Sequence, residues 1–244
     1  MATFMADEIQ FGEVEQVEPE CALRPDEDRQ FVVAPYGNPA ETDLAIFIDL
    51  DVHVELDRHA NSDTSVELGG VLLGRACVDE RGRAFVMVSE CIRAEHYEST
   101  AGSFKFTHET WAAITRERER FAADLQIVGW YHTHPGWGIF LSGMDLFICE
   151  HFFNKPLDVA YVVDPCRQER GMFQWADSVD VNESDEEILS DVSQSPHRPE
   201  TPGTPRRAFP TERGGDRCMA LAQGYFLFTA RAREAALHSY LATA

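Results

Sequence analysis

The sequence of 244 residues contains no apolar run that approaches the ~20 residues needed to span a membrane. Residues 1–10 carry neither the basic region nor the apolar core of a signal peptide. Lys and Arg number 21 against 42 Asp and Glu, and the formal net charge is −21. Phosphate repulsion disfavours a nucleic-acid partner for so acidic a chain. We therefore expect a cytoplasmic protein with no nucleic-acid or membrane partner.

Paired cysteines are also missing. The six cysteines form no C-x-x-C motif and are scattered through apolar segments, as reduced core cysteines are. A zinc site built from cysteines is therefore unsupported. The hydrophobic content of 44% suffices for an ordinary core, and the length fits one domain with extensions.

The most informative stretch is 128–145, V-G-W-Y-H-T-H-P-G-W-G-I-F-L-S-G-M-D. His132 and His134 are one residue apart, so on an extended strand both imidazoles leave the same face. A proline and two glycines then break the strand. Ser142 and Asp145 lie three apart at the start of an apolar run, so they share one face of a helix. Two His and one Asp leave a fourth tetrahedral position for water, as in a catalytic zinc site.

Such a site also needs proton transfer. Zinc lowers the pKa of its bound water and polarises a carbonyl oxygen, but amide hydrolysis requires a group that takes and returns protons. No acid lies between His132 and Asp145. Glu67, in S-V-E-L-G-G-V-L-L-G, is the candidate, because an acid in an otherwise buried strand is costly unless it is paired or functional. The Ser142 hydroxyl would donate to the oxyanion.

Each assignment has a structural alternative. Ser142 followed by Asp145 is also a helix-capping pattern, and a capping serine can still present its hydroxyl to a site. His132 and His134 alone would fit a half-buried strand, and Glu67 alone would fit an edge strand that reaches solvent. The metal interpretation is favoured because it explains all of these residues together.

The same residues resemble a known family. Glu67 with G-G-V-L-L-G, then H-T-H-P, then S-G-M-D are similar to the signature of the JAMM (MPN+) metalloproteases, and the stretch around H-T-H-P is especially similar to the proteasome-lid deubiquitinase branch. The segments V-A-Y-V-V-D-P at 159–165 and S-F-K-F-T-H-E-T-W at 103–111 extend the resemblance, which covers about 42–175.

The resemblance implies an α/β fold, an MPN (JAB1/cytidine-deaminase-like) domain with a mixed, mostly antiparallel sheet flanked by helices. It implies Zn²⁺ as cofactor, with His132, His134 and Asp145 as ligands, Glu67 as general acid/base and Ser142 as oxyanion stabiliser. The implied activity is hydrolysis of (iso)peptide bonds of ubiquitin or a ubiquitin-like modifier. The expected partners are a ubiquitin-like protein or its conjugates.

One departure from the family concerns substrate recognition. The stretch between Asp145 and Val159 is short where deubiquitinating members often carry a longer insertion. A short version fits a different ubiquitin-like tail, or a site that relies on partner proteins, and favours a prokaryotic-type member. The polar segment 94–103 is a candidate substrate lip, with an ordinary solvated connection as its alternative.

The chain divides by composition into four parts. We predict an N-terminal extension at 1–39, the metallopeptidase domain at 40–176, a disordered acidic and Pro-rich linker at 177–214, and a helical segment at 215–244 that docks on the domain or on a partner. Within the domain the patterns predict helices at 107–125 and 141–153, and strands within 43–54, 67–74, 77–92 (a hairpin), 127–134, 159–163 and 171–176.

Two further functions fit the sequence. A catalytically silent scaffold or adaptor of the same fold is disfavoured by the complete set of site residues. A metal hydrolase that processes a sulfur-carrier protein or a small amide would use the same catalytic apparatus, so only substrate tests separate it from the isopeptidase.

Overall fold

The computed structural model describes residues 18–95, 97–100, 103–177, 208–210 and 217–243. Four α-helices occur in this part of the chain: α1 (Leu50–Ala60), α2 (His108–Arg118), α3 (Gly143–Phe152) and α4 (Glu234–Leu241), the last preceded by a 3₁₀ helix at Arg231–Arg233. The strands are β1 (Glu20–Cys21), β2 (Phe31–Gly37), β3 (Ala45–Asp49), β4 (Gly69–Val78), β5 (Ala84–Arg93), β6 (Glu98–Thr100), β7 (Ser103–Lys105), β8 (Gln126–Thr133), β9 (Val159–Asp164), β10 (Glu169–Asp177), β11 (Ala208–Pro210), β12 (Arg217–Leu221) and β13 (Gly224–Ala230).

One large mixed sheet organises the molecule. Over the described residues its strand order is β11-β12-β10-β9-β8-β4-β5-β3-β13-β2, with β1 beside β4, while β6 and β7 form a separate hairpin. Most neighbours are antiparallel; β3 with β5 and β13, β8 with β9, and β1 with β4 are parallel. The predicted fold class, a mixed and mostly antiparallel sheet flanked by helices, is confirmed.

The sheet carries a core on each face. On one face α1 and α4 pack through residues such as Leu56 and Leu237 against a cluster that includes Tyr131. On the other face α2 and α3 pack against a cluster that includes Trp130. Because Trp130 and Tyr131 are neighbours on β8, the strand is buried on both sides. The imidazole of His132 therefore belongs to the face covered by α3.

Helix α1 was not predicted. The alternation in 43–54 indicated a strand, which the structure contains as β3, but Asp49 then caps a helix by accepting a hydrogen bond from Asp51 N at 2.8 Å. The buried residues Val52 and Leu56 follow at helical spacing. The predicted helix at 107–125 is also shorter than expected, since α2 ends at Arg118.

The C-terminal prediction needs a larger correction. Residues 215–244 were expected to be helical, but 217–221 and 224–230 are strands of the main sheet and only 234–241 form an α-helix. That helix docks on its own domain: Leu237 is buried, and the Tyr240 hydroxyl bonds His53 Nδ1 at 3.0 Å and Asp57 Oδ2 at 2.7 Å. The sequence misled because an Ala- and Leu-rich composition favours a helix, whereas pairing with distant strands decides the structure. A partner bound through this helix stays a prediction.

The predicted boundaries are crossed by sheet pairing. β2, within the proposed N-terminal extension, pairs antiparallel with β13, so this part of the extension joins the domain. Within the proposed linker, 208–210 form β11 and pair with β12. The remainder of the disordered-linker prediction, 178–207 and 211–214, lies outside the described residues, and the four-part division stays a prediction. No helix among the described residues is long and apolar enough to cross a membrane.

Candidate metal centre

Strand β8 and the residue that follows it place two histidine side chains close together. His132 lies in register with Gly69 on one neighbouring strand and with Val162 on the other, and it is fully buried. His134 follows the end of the strand, and its backbone N–H donates to Val163 O at 2.8 Å, which continues the extended backbone for one more residue. The alternation expected from the H-x-H spacing therefore brings both rings to the same face, with their centroids 4.6 Å apart.

Helix α3 supplies the third donor through its cap. The Ser142 backbone N–H donates to Asp145 Oδ2 at 2.7 Å, and the Ser142 hydroxyl accepts from the Asp145 backbone N–H at 3.2 Å. This reciprocal pair is a capping box and fixes both side chains at the first turn. The capping interpretation of the S-x-x-D spacing is thus correct, and it coexists with a position for Asp145 beside both histidines.

The three donor groups converge within short distances. His132 Nε2 lies 3.0 Å from His134 Nε2, and Asp145 Oδ2 lies 3.4 Å and 3.5 Å from these two nitrogens. Ligand bonds of about 2.0–2.1 Å in tetrahedral geometry place neighbouring donor atoms about 3.3 Å apart. The buried His132, His134 and Asp145 group therefore fits a metal ion of the size and ligand preference of Zn²⁺.

The protonation states also suit a metal. Burial lowers the pKa of His132, against the opposing effect of Asp145, and so favours the neutral imidazole. Burial alone would raise the pKa of Asp145, but the two imidazoles outweigh it and hold that pKa far below its usual range. Neutral imidazole and ionised carboxylate are the forms that bind metal.

Glu67 stands at the edge of this group. It precedes β4, where Leu68 N donates to Thr133 Oγ1 and Thr133 N donates to Leu68 O, both at 2.8 Å. These bonds tie Glu67 to the strand of the histidines, and its Oε1 lies 4.0 Å from His134 Nε2. Burial raises the pKa of Glu67 to about 7, with His134 lowering it and Asp145 raising it by less. A carboxyl group with that pKa exchanges protons near neutrality.

The predicted lip contacts the same residue. Ser99 on β6 donates its hydroxyl to the backbone carbonyl of Glu67 at 2.5 Å. Strand β6 lies within the segment 94–103 that the sequence marks as a candidate substrate lip, and its partner β7 begins at the last residue of that segment. The contact places this hairpin directly beside the metal-binding group.

Asp164 organises the loop that follows His134, a role that sequence reasoning missed. Its Oδ1 accepts from Gly136 N at 2.8 Å, and its Oδ2 accepts from Gly138 N at 2.7 Å. The same buried carboxylate accepts from Cys166 N and Arg167 N at 2.9 and 3.1 Å. An Asp-Pro pair at the end of a buried strand was the available signal, because such a carboxylate often closes a turn. Asp164 thereby fixes the loop that carries Trp137.

Large apolar side chains are exposed around the centre. Among the described residues, the exposed large apolar side chains are Leu23, Trp137, Met144 and Phe147. Trp137 is three residues from His134, and its backbone N–H donates to His134 O at 3.1 Å. Met144 and Phe147 flank the buried Asp145 on α3. Three of these four side chains therefore lie within three residues of a candidate metal ligand.

Fold and site together define a JAB/MPN-type α/β domain with a buried His-His-Asp group that fits a metal. A family model described as prokaryotic homologs of the JAB domain matches residues 50–177, and the chain belongs to this family. The matched stretch contains all five candidate site residues. The resemblance to the JAMM/MPN+ family is confirmed.

Curated relatives show the same relationship at low identity. COP9 signalosome complex subunit 5 of Drosophila melanogaster is 29% identical over 148 residues, which is 58% of this chain and 43% of that protein. The 26S proteasome regulatory subunit RPN11 of Candida glabrata is 27% identical over 142 residues, 57% of this chain and 45% of that protein. The chain thus spans less than half the length of these relatives. A solution structure from Desulfitobacterium hafniense is 17% identical, with a TM-score of 0.41 over 53% of this chain and 83% of that one.

Proposed function

We propose that the protein is a zinc-dependent isopeptidase or peptidase that hydrolyses (iso)peptide bonds of ubiquitin or a ubiquitin-like modifier. The observation that carries the proposal is the convergence of His132, His134 and Asp145 within 3.5 Å, with the carboxylate of Glu67 4.0 Å from His134. A hydrolytic centre needs both a three-ligand metal position and an adjacent acid of raised pKa. Membership of the JAB family supports the same reaction class.

The three donors would hold the zinc through His132 Nε2, His134 Nε2 and Asp145 Oδ2. When bound there, zinc supplies an activated water and polarises the scissile carbonyl. Each protein group has one task in this arrangement. The imidazole of His132 stays neutral because it is buried, and the carboxylate of Asp145 stays ionised because it faces the two histidines.

Glu67 is proposed as the group that moves protons. With a pKa of about 7 in the metal-free protein, its carboxyl accepts a proton at neutral pH and returns it to the departing amine. Departure of a lysine or backbone amine requires that returned proton, since an unprotonated amide anion is a very poor leaving group. The bond of Ser99 to the Glu67 carbonyl holds this residue in place.

Ser142 is proposed to stabilise the oxyanion. Its hydroxyl oxygen accepts from Asp145 N, which leaves the hydroxyl proton available for a second partner. The capping box fixes the direction of that proton donor relative to Asp145. A fixed donor costs little reorganisation when charge develops on the carbonyl oxygen.

The exposed apolar side chains near the metal ligands favour a protein substrate over a small amide. Trp137, Met144 and Phe147 expose 56%, 39% and 46% of their surface next to the metal ligands. Exposed apolar patches of this kind mark protein interaction sites, and Trp is common among residues that dominate binding energy. The related proteins bear names of subunits of multiprotein assemblies, and the proposal therefore includes an activating partner protein.

Elemental analysis of the purified protein tests the proposal first. Wild-type protein is expected to hold about one zinc per chain and His132→Ala none, as for a single three-ligand site. The zinc-loaded protein is then incubated with conjugates of ubiquitin and of small ubiquitin-like proteins, with Glu67→Gln as control. Release of the free modifier by wild type alone supports the proposal. A chain that binds zinc but releases no modifier from any conjugate would instead favour the sulfur-carrier or small-amide hydrolase.

Wild-type protein without zinc, prepared in the absence of chelators, would contradict the enzyme proposal. That result would favour a scaffold of the same fold.

A further inference from the structure

The imidazole of His132 has an unusual environment for a metal ligand. Its Nε2 faces the other donors, and its Nδ1 is buried without a hydrogen-bond partner among the described residues. Metal-binding histidines ordinarily donate the second ring N–H to a carboxylate, a carbonyl or water, which fixes the plane of the ring. The plane of the His132 ring must therefore be set by other contacts.

The indole of Trp130 provides such a contact. It lies parallel to the His132 ring, with centroids 4.3 Å apart and an interplanar angle of 12°. The two residues are alternate positions on β8, so the strand itself brings the rings face to face. Rotation of the imidazole about its Cβ–Cγ bond would drive one ring edge into the indole.

The indole is in turn held by contacts of its own. The ring of Phe153 is also parallel to the indole of Trp130, with centroids 5.9 Å apart and an interplanar angle of 12°. The indole N–H donates to Cys149 Sγ at 3.4 Å. Burial raises the pKa of Cys149 to about 12, so the acceptor is a neutral thiol. Trp130 is fully buried, and both neighbours come from α3 or its C-terminal end.

We propose that Trp130 is a positioning residue for the metal ligand His132, fixing the imidazole plane by ring stacking in place of a hydrogen bond to Nδ1. The inference rests on the proposed metal centre. The indole face also suits the liganded state: an imidazole bound to a cation becomes more electropositive, and the electron-rich face of indole attracts positive charge. The stack therefore stabilises the metal-bound ring more than the free one.

Substitutions of Trp130 separate stacking from other roles. Trp130→Phe keeps an aromatic plane but removes the N–H donor, while Trp130→Met keeps an apolar side chain and removes the plane. Cys149→Ala removes the acceptor and leaves the stack. Phe85→Leu is the matched control, because Phe85 is a fully buried ring in a separate core cluster with Phe47.

Two readouts are measured on the full chain: zinc affinity by competition with a chelator, and the visible absorption spectrum of the Co²⁺-substituted protein. The spectrum reports ligand geometry, which a general loss of stability does not alter. We expect Trp130→Met to bind zinc about 10- to 100-fold more weakly, as for loss of an outer-shell partner, and to show an altered cobalt spectrum. Trp130→Phe, Cys149→Ala and Phe85→Leu should retain wild-type affinity and spectrum.

Several results would overturn the inference. Wild-type affinity and spectrum in Trp130→Met would show that the stack does not position His132. Equal losses in Trp130→Phe and Cys149→Ala would assign the role to the N–H···S bond instead. If Trp130→Met does not fold, Trp130→Leu takes its place, because it also removes the aromatic plane and keeps an apolar side chain, and the same loss of affinity and altered spectrum are expected. Wild-type protein that binds no zinc would overturn the proposed function together with this inference. Wild-type protein that binds zinc, with unchanged binding in Trp130→Met, would overturn the inference alone.

Discussion

One carboxylate oxygen of Asp145 takes part both in the cap of α3, where it bonds Ser142, and in the candidate metal centre. Asp145 Oδ2 accepts the Ser142 backbone N–H at 2.7 Å and also lies 3.4 Å from His132 Nε2. The start of α3 is therefore fixed by the same atom that faces the metal position. The spacing S-x-x-D satisfies both requirements, because residues three apart meet at the first turn of a helix.

Asp145→Asn is expected to separate capping from metal binding. The amide oxygen of Asn still accepts the Ser142 N–H, so the cap is kept, while loss of the carboxylate charge beside the two histidines should lower the free energy of unfolding of the metal-free protein at neutral pH. Zinc content should fall to background, because a neutral amide is a poor zinc ligand. Elemental analysis and urea denaturation measure the two effects.

Thr110→Val is the matched control for Asp145→Asn. Thr110 completes the capping box of α2, where its hydroxyl oxygen accepts from Thr107 N at 3.0 Å. The control should lower the free energy of unfolding and leave zinc content unchanged. Full zinc content in Asp145→Asn would remove Asp145 from the ligand set.

Ser142→Ala is expected to retain zinc and to lose turnover by about 10²-fold, the usual cost of one oxyanion donor. It should also lose about 1 kcal/mol of stability, because Ser142 caps α3. Thr107→Ala removes the equivalent cap of α2 and should show the stability loss alone. Steady-state kinetics at saturating zinc compare the two. Equal turnover in both variants would reduce Ser142 to a capping residue.

Glu67→Gln is expected to change the pH dependence of stability in the metal-free protein. Burial raises the folded-state pKa of Glu67 to about 7 from its usual 4.5, against a smaller opposing effect of His134. Between these pH values the folded state retains a proton that the unfolded state releases, so wild-type stability falls as pH rises through this window. Glutamine lacks this equilibrium.

Urea denaturation of both metal-free proteins from pH 4 to pH 8 measures the difference. Relative to wild type, Glu67→Gln should gain stability as pH rises from about 4.5 to 7, with a flat difference below this window. The zinc-loaded variant should keep its metal and lose hydrolysis. A difference that does not depend on pH would show that the Glu67 carboxylate is solvated, and persistent turnover would show that another group is the base.

Asp164→Asn is expected to loosen the loop after His134. An amide offers one oxygen in place of two, so either the N–H of Gly136 or the buried N–H of Gly138 loses its acceptor. The expected cost is about 1–3 kcal/mol in the free energy of unfolding, together with reduced turnover. Asp79 accepts from two backbone N–H groups in the distant β4–β5 turn, so Asp79→Asn should lower stability alone. Unchanged turnover in Asp164→Asn would make the loop a structural feature only.

Trp137→Ala is expected to weaken binding of a protein substrate. Loss of a central exposed Trp from an interface typically costs at least about 2 kcal/mol, or roughly 30-fold in KM. Turnover of a short amide substrate at the same zinc occupancy should be unaffected. Among the described residues, the Trp137 side chain makes no hydrogen bond or ring contact with a candidate metal ligand. Leu23→Ala is the control: Leu23 is 57% exposed and follows β1, which pairs with the far end of β4 from Glu67. Equal effects of the two variants would place the substrate elsewhere.

The candidate site was readable from the sequence because its chemistry is local. His132 and His134 share a strand, Ser142 and Asp145 share a helical turn, and only Glu67 must be brought from a distance. The hydrogen bonds of Leu68 with Thr133 accomplish that approach, and no local pattern predicts them. The proton-transfer and ligand roles of the five candidate site residues stay predictions until the variants are measured.

The parts that sequence missed depend on long-range pairing. Helix α1 was hidden because 43–54 alternates like a strand, although Asp49 followed by Val52 and Leu56 at helical spacing was a usable signal. The strands β12 and β13 gave no such signal. Their Ala, Leu and Phe content suits a helix or a buried strand equally, and the partners β10, β3 and β2 decide between them.

The position of β13 between β3 and β2 dictates an order of assembly during synthesis. Phe226 pairs with Phe47 on one side and with Pro35 on the other. Strands β2 and β3 are therefore synthesised before the strand that joins them. The segments that carry Glu67, His132, His134 and Asp145 all leave the ribosome before β13 does. Until then the outer edge of β3 is an unpaired, aggregation-prone template. A nascent chain therefore possesses every candidate catalytic side chain before its sheet can be completed.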